Sequence, residues 1–271
     1  MADAESTAGE PVRRGEGAEG FPHGSKYPLF VGAGLFFLGL GLAWSWIFLI
    51  VAVPVEVYGL WGWTKEYAIE EFEAGVVPEQ KRQLMGVETG LIGMYILIVS
   101  EILIFAGFFV AWFYLDATRG PFPIDGFPGL TVALGGAMTA ILLVGSLTVR
   151  YGRNAVVRNS DRGKLVVGYA ITVLLGVAFL AVLGFEWSNL MAEGLAWTDG
   201  PYGASYYALT GLHAGHLIAG IVMLAIVVYR ARVRNHFSAQ RNLMVRVTEV
   251  YWHFLTAVSM AIFVFVYFGT G

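Results

Sequence analysis

The chain predicts an all-α integral membrane protein, a bundle of seven transmembrane helices, and three observations lead there. Hydrophobic residues make up 57% of its 271 positions and charged ones only 14%, with a mean hydropathy of +0.65. An ordinary soluble domain carries roughly 25% charged residues. Apolar runs near the ~20 residues that a helix needs to cross a bilayer recur from Tyr27 to the carboxyl end. The basic residues also fall on alternate connections, as the positive-inside rule requires.

Taken in order, residues 1–26 are rich in Gly, Glu, Ala and Ser, lack an apolar core and read as a flexible tail, not a cleavable signal. The membrane domain is expected over 27–271. Tyr27 to Trp63 is too long for one crossing, since roughly 37 helical residues would reach ~55 Å. A tight turn at Ala43–Ile47 would divide it into two helices, and Pro54 predicts a kink or a fresh helix start in the second. Gly90–Tyr114, Leu130–Val149, Val166–Phe185, Tyr206–Tyr229 and Val250–Phe268 supply five more. The longest connections, Thr64–Glu88 and Glu186–Ser205, are too short to bury a separate core.

With the amino terminus inside, seven crossings put every Lys and Arg but Arg119 on an inner segment. Six crossings would strand Arg13, Arg14 and Lys26 outside. The net charge of −3 decides little beside that distribution. The absence of cysteine excludes disulfides, thiolate metal sites and a thiol nucleophile.

Glu101 lies in the middle of the third span, the one charge in its apolar run. A carboxylate there costs at least ~2.5 kcal/mol on insertion scales, so it needs a partner or a proton. His216, near the middle of the sixth span, falls at about the same depth, and a carboxylate–imidazole hydrogen bond between neighbouring helices would satisfy both. His213, three residues earlier, projects from a similar face, and Thr210 continues the polar stripe. Such a cluster locks helix packing, handles protons or meets a lipid headgroup. Apart from His213 and His216, His253 is the one other histidine at membrane depth, and it is expected nearer the inner face. No metal or haem site is therefore expected in this chain.

Glu249, Tyr251, Trp252 and His253 open the seventh span and read as an inner-boundary anchor or a surface for a partner subunit or lipid. Glu56, beside Pro54, faces the same choice between reaching the inner interface and meeting a partner subunit or lipid. Trp61, Trp63 and Lys65, with Arg230 and Arg232 after the sixth span, are candidates for phospholipid headgroups.

These residues together resemble subunit III of the haem–copper oxidases. The resemblance rests on a Ser100–Glu101 pair within Gly93–Tyr114, and on an LTG-x-H-x-x-H element within Asp199–Gly220 that follows a DG-x-YG loop. YWHF at Tyr251–Phe254 and the Trp61/Trp63/Lys65 segment complete it. It runs from Tyr27 to Gly271 and departs from the family at Leu255–Thr256, where an aspartate is common, and in the acidic Glu66–Glu79 loop. It implies two helices separated from five by a V-shaped lipid cleft, in a multi-pass protein of the cell (plasma) membrane. It also implies a non-catalytic subunit of a proton-translocating terminal oxidase, supplied by cytochrome c or quinol. That subunit would dock on catalytic subunit I, with subunit II, and hold structural phospholipids. Haem and copper would reside in the partner subunits. Glu101 then matches the family's buried acid, His213 and His216 its paired histidines. A small proton-coupled transporter or channel is the alternative class, although Pro54 is the one candidate for the broken helices such proteins show.

Overall fold

The computed structural model describes residues 26–64, 82–84, 87–120, 123 and 128–269. Among these the chain forms seven helices: α1 (Tyr27–Ala43), α2 (Ile47–Thr64), α3 (Thr89–Arg119), α4 (Val132–Asn159), α5 (Arg162–Ala192), α6 (Gly200–Val233) and α7 (Leu243–Ile262). A π-helical segment, Phe263–Phe268, continues α7. The five helices α3–α7 are long and apolar enough to cross a membrane, whereas α1 and α2 carry shorter apolar stretches, Tyr27–Leu38 and Ile47–Trp63. The expected tail lies outside the described residues, apart from Lys26.

Two compact units divide the chain, the first holding α1 and α2 and the second everything from Gln80 on. In the first, Pro28 opens α1, where its missing N–H costs nothing. The chain turns at Trp44–Trp46, where the N–H groups of Trp44 and Ser45 donate to Leu40 O. Both indoles are exposed at that tip, where rings of this kind favour the headgroup level. Tyr58 meets Phe30 edge-on at 5.0 Å between centroids. Pro54 starts no new helix, because α2 continues unbroken through it. Glu56 is partly buried within this pair of helices. Its carboxyl packs on Gly34 of α1, where any side chain would collide with it, and Oε2 is buried without a partner.

In the second unit a short ribbon precedes α3, with Arg82 paired to Glu88 and Leu84 to Val87. The ribbon was not expected from sequence, and Arg246 at the start of α7 fastens it by donating to Glu88 Oε1 at 3.0 Å. Helices α4 and α5 cross at glycine: a Cβ on Gly168 would stand 2.6 Å from Thr148 O and 3.0 Å from Gly152 Cα. Close backbone approach of this kind is how helices associate where the surrounding lipid is as apolar as they are. Hydroxyl pairs reinforce the contacts, Thr148 with Thr172 at 2.7 Å and Ser146 with Thr256 at 2.8 Å. Asp161 caps α5, its Oδ1 accepting from Lys164 N at 3.0 Å.

Helix α7 is the centre of the second unit and α3 its most exposed member. Of the most apolar window in each, 56% is buried for α7 and 11% for α3. The long helices also outrun their apolar stretches. The expected outer loop at Glu186–Ser205 shrinks to residues 193–199, because α5 continues to Ala192 and α6 begins at Gly200. That places Glu186 within a helix.

Candidate functional site

Helices α3 and α6 pack directly and leave a groove of about 580 Å³, walled by Met94, Leu97, Gly215, Met223 and Tyr251 with Glu101 and His216 among them. Glu101 Oε2 lies 2.9 Å from His216 Nε2, and each side chain retains about one fifth of its exposure. His216 Nδ1 lies 2.8 Å from Leu212 O, one turn earlier. A carbonyl only accepts, so Nδ1 carries a hydrogen and fixes the tautomer. Nε2 then either bears a proton and donates to a carboxylate, or is bare and accepts from a carboxylic acid. One proton is shared across the 2.9 Å gap, and the pair is neutral in net charge in both forms. That is chemistry suited to apolar surroundings. Tyr251 supports the histidine from below, its hydroxyl donating to His216 O at 3.3 Å.

His213 is not brought to Glu101. Three residues of helix turn through ~300°, so its direction departs from that of His216 by ~60°. This is enough to send one ring to the groove and the other into the core. His213 is 2% exposed, its two ring nitrogens have no hydrogen-bond partner, and Phe105 and Phe179 meet it edge-on at 6.4 and 5.5 Å. It borders a cavity of about 20 Å³ together with Thr139, Thr210, Ser259 and Tyr267. That volume admits one water molecule. Thr210 uses its hydroxyl within its own helix, donating to Tyr206 O at 2.7 Å.

The residues opening α7 do not form one surface. Trp252 is completely enclosed, against Gly145 of α4 and Gly176 of α5, so it is neither a headgroup anchor nor a docking residue. The glycines make the space that its indole fills. Glu249 is buried and sits at ion-pair distance from Arg153 Nε of α4, 3.2 Å, with His253 Nε2 at 3.6 Å on its other oxygen. From sequence, Arg153 is one of the basic residues of an inner segment, with no partner indicated. Trp61 and Trp63 are exposed at the end of α2, while Lys65 lies outside the described residues. Arg232 is exposed; Arg230 is partly buried, its guanidinium 3.3 Å from His236 Nε2 and 3.5 Å from Met244 Sδ.

His236, in the connection between α6 and α7, has its pKa pulled down to about 4 by burial and by the Arg230 and Arg241 charges beside it. The folded value lies below the ordinary 6.5, so between those limits the unfolded chain binds a proton that the folded chain refuses. Stability is therefore full above about 6.5 and falls as the pH drops toward 4. Melting temperatures recorded across that window should decline on acidification, and His236→Gln should flatten the decline.

Two features escaped the sequence reading altogether: the pairing of Arg153 with Glu249, and the surroundings of Glu186. Glu186 is buried at 3% exposure, its Oε2 at hydrogen-bond distance, 2.5 Å, from the Tyr267 hydroxyl, and that hydroxyl lies 3.0 Å from Tyr206 Oη. The tyrosines at 202, 206 and 207 were a visible signal of a polar pocket in an apolar helix. Among the described residues no group of three or more His, Cys, Asp or Glu is arranged to hold a metal ion.

Five long apolar helices and a partly buried acid–imidazole contact between two of them define a multi-pass membrane protein. Comparison with known sequences makes the class specific. The family model for cytochrome c oxidase subunit III matches residues 24–270, and the chain belongs to that family. A cytochrome c oxidase subunit 3 from Synechocystis sp. is 32% identical over 65% of this chain and 74% of its own length. A probable cytochrome c oxidase subunit 3 from Nocardia farcinica is also 32% identical, over 65% and 86%. One from Rickettsia conorii is 28% identical over 94% and 86%.

Proposed function

We propose that this chain is the non-catalytic subunit III of a respiratory haem–copper terminal oxidase, crossing the plasma membrane seven times with its amino terminus inside. It docks on catalytic subunit I in a complex that also holds subunit II. There it stabilises the catalytic subunit and supports proton uptake during reduction of oxygen to water. Haem and copper belong to those partners, and phospholipids bind this chain as structural components. Family membership over residues 24–270 supports the assembly. The observation that supports the proton role is the 2.9 Å Glu101–His216 contact, which lines a groove open to its surroundings.

Purification of the chain from its native membrane in mild detergent, followed by an absorption spectrum, tests the assembly. Haem bands that travel with the chain are expected. A colourless protein that moves solute when reconstituted alone would overturn the proposal in favour of a carrier.

A further inference from the structure

We propose that Glu186 is a second proton-binding carboxyl of this chain, held in its protonated form by Tyr267 and Tyr206 inside the α3–α7 unit. Glu88, Glu101 and Glu249 each face a basic side chain: Arg246, His216 and Arg153 respectively. Glu186 faces none among the described residues. The titratable groups around it are hydroxyls: Tyr202, Tyr206 and Tyr207 of α6 and Tyr267 beyond α7.

A charge removed from water needs a counter-charge or a full set of hydrogen bonds, and Glu186 has neither. Its Oε1 is buried and has no partner. The 2.5 Å separation between Tyr267 Oη and Glu186 Oε2 would also suit a hydroxyl donating to a carboxylate. One short bond leaves half of that carboxylate bare, however, and burial decides for the acid. In the protonated form Oε2–H donates to Tyr267 Oη, and Tyr267 Oη–H donates onward to Tyr206 Oη. Oε1 is then an under-used carbonyl oxygen, which is less costly to bury than an anionic one.

The local backbone is built to make this contact. Tyr267 stands in the π-helical segment Phe263–Phe268, where wider turns change the direction in which side chains leave the helix. The ring also packs closely on Gly135 of α4, where a Cβ would stand 2.6 Å from Tyr267 Cδ1. Tyr267 is 2% exposed and Tyr206 completely buried, so the hydroxyl run is closed off from bulk water.

Infrared spectroscopy of the full chain in its purified complex tests the assignment, with Glu101→Gln as a background that removes the other protonatable pair. In that background a protonated-carboxyl C=O band that shifts down in D2O is expected, and Glu186→Gln should abolish it. Tyr267→Phe should keep the band but move it to higher frequency, because one hydrogen bond to the carboxyl is lost. If the bands removed by Glu186→Gln are instead carboxylate stretches, the proposal is overturned. If Glu186→Gln does not assemble, Tyr267→Phe decides alone. A shifted C=O band supports the acid, whereas a change confined to carboxylate bands, or none, refutes it.

Discussion

Glu101→Ala is expected to lower the stability of the α3–α6 contact by about 1 kcal/mol, the low end of the cost of leaving a polar partner unmet, because His216 is only partly buried. His216 keeps its bond to Leu212 O but loses its one partner at Nε2. Glu101→Gln should recover most of that loss, because an amide N–H can donate to the bare Nε2 and the space is unchanged. The amide brings no exchangeable acid proton, so proton uptake by the complex should fall in both variants. Thermal melting and proton-uptake measurements on the same two proteins therefore separate packing from proton handling. Normal uptake in the Gln variant would reduce Glu101 to a structural group. His216→Phe should mirror the Ala variant in melting, and an unchanged transition would remove the hydrogen bond from the argument.

Gly168→Val should be the most damaging single change in the α4–α5 pair. The atoms in the way belong to backbone: Thr148 O at 2.6 Å and Gly152 N at 2.9 Å from the first added carbon. Side chains rotate away from such a clash, but backbone can yield only if the two helices part. Overpacking commonly costs about 1–3 kcal/mol and more where the neighbours cannot move, so ~3 kcal/mol or more is expected here. Gly184→Ala on the same helix is the control, since nothing lies within 4 Å of its would-be Cβ. A thermal shift for Gly168→Val no larger than for Gly184→Ala would show that α4 and α5 are not held by this crossing.

Depth was legible in the sequence and direction was not. The apolar runs located the long helices, their combined length located the turn at Trp44–Trp46, and equal depth paired Glu101 with His216. Azimuth left no comparable trace. A helix that meets lipid on one side and core on the other is apolar all round, so hydropathy does not say which side is which. Hence His213 looked like a neighbour of Glu101 and lies instead between Phe105 and Phe179. Trp252 looked like a boundary anchor and fills a notch made by two glycines on other helices. Glu186 was misplaced for a different reason: an acid after an apolar run resembles the start of a loop. The tyrosines that keep it in the helix come from α6 and the π segment, remote in sequence from α5.

The neutrality of the Glu101–His216 pair bears on how it behaves in an oily medium. Moving the proton from one partner to the other creates or erases a dipole 2.9 Å long and leaves no isolated charge behind. The solvation penalty that bars lone ions from hydrocarbon is thereby avoided at each stage of the hop. An apolar lining at the opening is therefore compatible with the proton lying on either side chain.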